Sequence, residues 1–128
     1  MENINKLKPG LKGKAELVVD HTQTASSYGS GLVEVFATPA MIALMEKAAH
    51  TSVQPFLPKD MVTVGSEVTI KHIKPTPLGS RVWAGSELIS TEGKKLTFHV
   101  EAFDQDGKIG FGTHTRYIVS ADFFKASC

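Results

Sequence analysis

The sequence predicts an α+β domain in which one long central helix is wrapped by a single antiparallel sheet of about five strands. Three observations lead there. Residues 38–54 carry apolar side chains at helical spacing around most of the helix, so that segment is buried on most sides. After Pro58 the chain reads as four long strand-like runs. Those runs are joined by tight turns, which antiparallel neighbours accept and parallel ones do not.

The elements follow in order. Residues 1–13 are polar and contain Pro9, Gly10 and Gly13, which predicts a loose lead-in. Lys14–Asp20 fits a first strand, and His21–Gly31 is rich in Ser, Thr and Gly, as a loop is. After Val33–Phe36 comes Thr38-Pro39, a helix start: a threonine hydroxyl can cap a free backbone N–H, and a proline in the first turn has none to lose. Met41, Leu44, Met45, Ala48 and Ala49 recur at helical spacing, and the helix ends before Pro55. In Met61–Ile73, strict alternation places Val62, Val64, Val68, Ile70 and His72 on one face. Thr63, Glu67, Thr69 and Lys71 fall on the other. Pro75–Gly79 turns the chain into Arg81–Thr91. Glu92-Gly93 and Asp106-Gly107 then close hairpins onto Lys95–Phe103 and Ile109–Val119.

Composition bounds the function. With 128 residues the chain is read as one domain, 1–128, large enough to bury a core without a disulfide or metal. Hydrophobic residues make up 41% and charged residues 21%, ordinary values for a folded soluble domain. Fourteen basic and thirteen acidic residues leave a net charge of +1, which does not support a nucleic-acid partner. The single cysteine, Cys128, is the last residue, a poor setting for a catalytic thiolate, and no Cys/His spacing suggests zinc. The first residues, MENINKLKPGLKGK, lack the apolar stretch of a signal peptide, and no apolar run reaches membrane-spanning length. The expectation is a soluble cytoplasmic protein that hides apolar surface in an oligomer, with no metal and no membrane partner.

Several residues could carry chemistry. Glu46 lies about 140° from Met41 on a helical wheel, at the margin of the apolar arc. It is either a surface glutamate paired with His50 or a carboxylate at a dry groove, where desolvation would make it a better base. His72 shares a strand face with Val68 and Ile70, and is either a hydrogen-bonded core residue or a site residue. Thr38 is read as the helix N-cap, at an end that also suits a carbonyl oxygen or polarised hydroxyl. Gly65 interrupts a regular strand, marking a bulge or an exposed backbone for a ligand. His21, His50, His99 and His114 are less pointed; His114 shares a strand face with Arg116. No GxSxG, Walker or EF-hand pattern is present.

The ordered set VFATPAMIALMEKAA, VGSEVTIKHIKPTPLG, EGKKLTFHVEAFD and IGFGTHTR resembles the hot-dog-fold acyl-CoA thioesterases, and among them the fluoroacetyl-CoA thioesterase subgroup. The resemblance runs from about Val33 to Val119. It implies a homodimer formed by joining two sheets, with further assembly in some members. It also implies two active sites near the subunit interface and a tunnel there for the pantetheine arm of coenzyme A, which belongs to the substrate; no separate cofactor is implied. It assigns the catalytic group to Thr38, Glu46 and His72. Gly65 matches a glycine whose backbone meets the thioester, and Arg116 an arginine that holds the site. Glu46 would act as general base on water or as nucleophile, Thr38 would orient the water or carboxylate, and His72 would stabilise the oxyanion or protonate the thiolate.

The family's lid before the FAT motif is rich in phenylalanine, whereas this chain has Gly29, Gly31 and Leu32 there. The expected substrate is therefore a different short acyl-CoA, held in a smaller or more open pocket. Two other readings share the fold: an enoyl-CoA hydratase or dehydratase, and a non-catalytic acyl-CoA-binding protein. Lys71, Lys74, Arg81, Lys94 and Lys95 are candidates for contacts to the coenzyme A phosphates, or are simply solvated strand residues.

Overall fold

The computed structural model describes residues 5–123; Cys128 lies outside them. The described residues form one five-stranded antiparallel sheet: β1 (Lys12–Val18), β2 (Met61–His72), β3 (Arg81–Glu92), β4 (Lys95–Asp104) and β5 (Gly107–Ser120). Their spatial order is β1-β3-β4-β5-β2, so the two strands flanking the long helix in sequence become the two edges. A short helix, α1 (Ala25–Tyr28), precedes the long one, α2 (Thr38–Val53), and the sheet curls around α2. This is the predicted architecture.

Helix α2 packs where its sequence is apolar. Ala40, Met41, Leu44, Met45, Ala48, Ala49 and Val53 are buried against Val82, Ala84, Leu88, Leu96, Phe98, Val100 and Ala102 from β3 and β4. The apolar arc is narrower than the sequence suggested: Pro39, Ala43, Lys47 and Thr51 are exposed along one face. Ile42, Glu46 and His50 are half-buried along the margin. Gly13 lets β1 cross the helix closely, because a Cβ there would collide with the Ala48 carbonyl.

The helix begins differently from the sequence expectation. Ala37 is the N-cap, in extended backbone, and its carbonyl accepts the Met41 N–H at 3.0 Å. Thr38 is the first helical residue and caps nothing, which leaves its hydroxyl for another partner. The stretch 21–31 is also more ordered than a plain loop. A 3-10 turn at His21–Gln23 is closed by a reciprocal Asp20–Gln23 capping box, and α1 follows. The lead-in is partly packed: Leu7 and Leu11 touch the core, the Leu11 carbonyl accepts the Leu88 N–H, and the Leu88 carbonyl accepts the Gly10 N–H.

Strand β2 contains the most consequential departure. The pairing of β2 with β5 shifts between Gly65 and Glu67, so Ser66 is an extra residue and the alternation changes phase there. After the bulge, Val68, Ile70 and His72 share one face, as predicted. Before it, Thr63 and Gly65 turn inward, while Val64 turns outward with its neighbour Tyr117.

Candidate active site

The first cluster sits at the N-terminal end of α2. Its position is fixed by the segment before the helix. The Phe36 N–H donates to the Thr76 carbonyl and the Ala37 N–H to the Gln23 carbonyl, each at 2.8 Å. Thr76 is buried and its hydroxyl donates to the buried carboxylate of Asp104 at 2.9 Å. This ties the chain entering α2 to the loop leaving β2. Thr38 Oγ1 consequently lies 2.8 Å from Nδ1 of His72. The His72 Nε2 atom is buried and has no hydrogen-bond partner among the described residues. Burial holds the His72 pKa below the ordinary imidazole value, against an opposing contribution from the Lys74 backbone. A cavity of about 360 Å³ opens beside this pair, lined by Ala25, Ser30, Val35, Phe36, Thr38 and His72 among others.

The second cluster lies two turns along α2. Glu46 Oε2 is 3.5 Å from Nη1 of Arg116 and 3.9 Å from Nε2 of His114. Arg116 is held by Thr63, whose hydroxyl accepts from Nε at 2.8 Å and whose carbonyl accepts from Nη2 at 3.0 Å. Desolvation lowers the Arg116 pKa, opposed by the Glu46 carboxylate. Gly65 is the wall of this cluster: a Cβ there would stand 2.6 Å from Glu46 Oε2 and 3.2 Å from Arg116 Nη1. A shallow pocket of about 210 Å³ is lined by Glu46, Gly65, Ser66, Glu67, Val68 and His114.

All five residues singled out in the sequence thus belong to two clusters, Thr38 with His72, and Glu46 with Gly65 and Arg116. Eight residues of helix separate Thr38 from Glu46, about 12 Å along its axis. Two members of the second cluster went unassigned in the sequence. Strict alternation puts Thr63 on the opposite face, and the bulge turns it inward. His114 was seen to share a face with Arg116 but not to be buried against Glu46; its closeness to Arg116 in GTHTR was the available signal. Among the basic candidates, Lys74 pairs with Asp104 and Asp106, and Arg81 pairs with Glu16 and lies over the Trp83 ring. Among the described residues no three His, Cys, Asp or Glu side chains form a metal-binding group, and no helix is long and apolar enough to cross a membrane.

Known proteins resemble this chain in sequence and fold. A family model described as fluoroacetyl-CoA-specific thioesterase, FlK, matches residues 19–122. The fluoroacetyl-CoA thioesterase of Streptantibioticus cattleyicolor is 35% identical over 108 residues, covering 84% of this chain and 78% of that one. A crystal structure of an FlK variant in complex with fluoroacetate and CoA superimposes with a TM-score of 0.85 at 32% identity, over 91% of this chain and 98% of the other. A hypothetical Thermus thermophilus protein, described as a thioesterase superfamily member, superimposes with a TM-score of 0.84 at 30% identity, over 93% and 88%. Fold and relatives together define a hot-dog thioester hydrolase. Within that class, the chain belongs to the fluoroacetyl-CoA-specific thioesterase family.

Proposed function

We propose that this protein hydrolyses a short acyl-CoA thioester to the free acid and coenzyme A, in a site completed between two copies of the chain. The observation that carries the reading is the division of one catalytic set into two clusters beside a free sheet edge. Strand β2 is an edge, and both Val64 and Val68 on it are more than a third exposed. Pairing two β2 strands antiparallel, centred near Val68 and Thr69, sets His72 opposite Gly65 of the partner subunit. The Thr38–His72 pair of one copy then faces the carboxylate of the other.

In that site Glu46 takes a proton from water as the water oxygen bonds to the thioester carbon. Charge develops on the carbonyl oxygen near the N-terminal end of α2, whose partial positive charge favours it. The carbon–sulfur bond breaks, and the proton passes to the departing sulfur through His72. A neutral imidazole, favoured by its burial, is the form that can relay the proton. Thr38 fixes the ring through Nδ1, so Nε2, buried and without a partner among the described residues, is the nitrogen left to carry the proton.

The acyl group is read as short, and other than fluoroacetyl. The cavity beside Thr38 is walled on the α1 side by the small residues Ala25 and Ser30. Tyr28 and Leu32, the large residues of that segment, are at least half exposed. An open wall of this kind supports tolerance of several short chains. The relative named for fluoroacetyl-CoA supports only the handling of such small thioesters within the family.

The test is thiol release from a panel of short, aryl and long acyl-CoAs. Release from short chains, lost in both Glu46→Gln and His72→Ala, supports the reading. Ligand-induced stabilisation without release favours a binding protein, and hydration of an enoyl-CoA favours a lyase; either outcome overturns it.

A further inference from the structure

His114 is 1% exposed, yet it stands beside the reacting carboxylate. Its Nδ1 is 2.8 Å from the Glu67 carbonyl oxygen. A carbonyl oxygen only accepts, so Nδ1 carries the proton, and in the neutral ring Nε2 is left with its lone pair. Burial, reinforced by the Arg116 charge, keeps the His114 pKa below the ordinary value, which favours that neutral ring. Nε2 lies 3.1 Å from Arg116 Nη1, which therefore donates to it. The remaining contacts of Arg116 go to Thr63. Nη1 reaches Glu46 only at 3.5 Å, well beyond the roughly 2.7–2.9 Å of a strong charge-assisted bond.

We propose that His114 is a positioning residue that holds Arg116 short of a closed ion pair with Glu46 by accepting the Nη1 hydrogen. Closed on Glu46, the guanidinium would occupy the carboxylate oxygens and weaken them as bases. Held at its present distance, it orients the carboxylate and leaves Oε1 and Oε2 open to water. This rests on the reading of Glu46 as general base. The other charged or titratable groups near Glu46 are Lys47 and His50 on α2 and Glu67 on β2, and none is altered by the test.

Three substitutions separate the parts. His114→Phe keeps a ring against Phe98, which stacks on it with centroids 6.2 Å apart, and removes both nitrogens. His114→Asn keeps a donor for the Glu67 carbonyl and removes the acceptor for Arg116. His114→Gln offers an oxygen near the position of Nε2. The readouts are the titration of the Glu46 carboxyl by ¹³C NMR, assigned through its loss in Glu46→Gln, and kcat and KM against pH. In His114→Phe and His114→Asn the Glu46 midpoint falls by about one unit and kcat by about tenfold, with KM little changed. His114→Gln restores both. An unmoved Glu46 midpoint in whichever of the first two variants melts cooperatively overturns the proposal. Should the wild type release no thiol from any acyl-CoA, the functional reading fails, and the NMR titration still decides what His114 does to Glu46.

Discussion

Thr38 and His72 are 34 positions apart in the chain, and their Oγ1 and Nδ1 atoms lie 2.8 Å apart at the mouth of a cavity. The contact exists because the cap of α2 falls on Ala37, one residue earlier than the sequence suggested. A hydroxyl free of capping work can orient an imidazole.

Thr38→Val keeps the side-chain shape and removes that hydrogen bond. With the residue exposed and capping nothing, stability should change by no more than about 0.5 kcal/mol. Turnover should fall about tenfold or more, and Thr38→Ser should recover most of it. Chemical denaturation and steady-state thiol release, run on the same preparations, check both halves.

Gly65→Ala tests the wall of the carboxylate cluster. The new methyl would stand 2.6 Å from Glu46 Oε2 and 3.1 Å from His114 Cε1. Gly65 adjoins the extra residue of the β2 bulge, where the ladder is already interrupted, so the strand can give way locally, but Glu46 must move. A displacement of this size should lower kcat by about a hundredfold while a cooperative melt is retained. Unchanged kcat would mean that Glu46 is not held where the reaction needs it.

Three histidines should make the protein lose stability in mild acid. Burial holds the pKa values of His50, His72 and His114 below those of the unfolded chain, near 6.5. As pH falls, the unfolded chain takes up protons first. The stabilisation is therefore complete above about pH 7 and is lost as pH drops toward the folded values. The melting temperature should fall between pH 7 and pH 5 by on the order of 5 °C, and the slope should be shallower in His114→Gln. Calorimetric scans across that range measure it.

The sheet and helix were readable because each keeps its period over most of its length: four runs alternate along β2 to β5 with local shifts, and Met41, Leu44, Met45 and Ala48 repeat along α2. Glu46 was readable for the same reason, as the polar residue at the margin of the apolar arc. Thr63, which grips Arg116, was not readable. Its face depends on the extra residue between Gly65 and Glu67, and a bulge shows only when β2 is paired with β5. Gly65 marked the place without revealing the shift. Thr38 shows a different limit: a threonine before a proline suits a cap and a site equally, and the backbone of Ala37 decides between them. That the five candidate residues gather into two clusters, about 12 Å apart along α2, required the third dimension.

The most direct measurement mixes two inactive variants. Glu46→Gln and His72→Ala chains are unfolded together, refolded at equal amounts and assayed for thiol release. In a hybrid dimer one site joins an intact Thr38–His72 pair to an intact Glu46 of the partner subunit, and the other site lacks both. Random pairing should recover about a quarter of wild-type activity. A mixture that forms hybrid dimers yet stays as inactive as its two parents would contradict a site shared between copies.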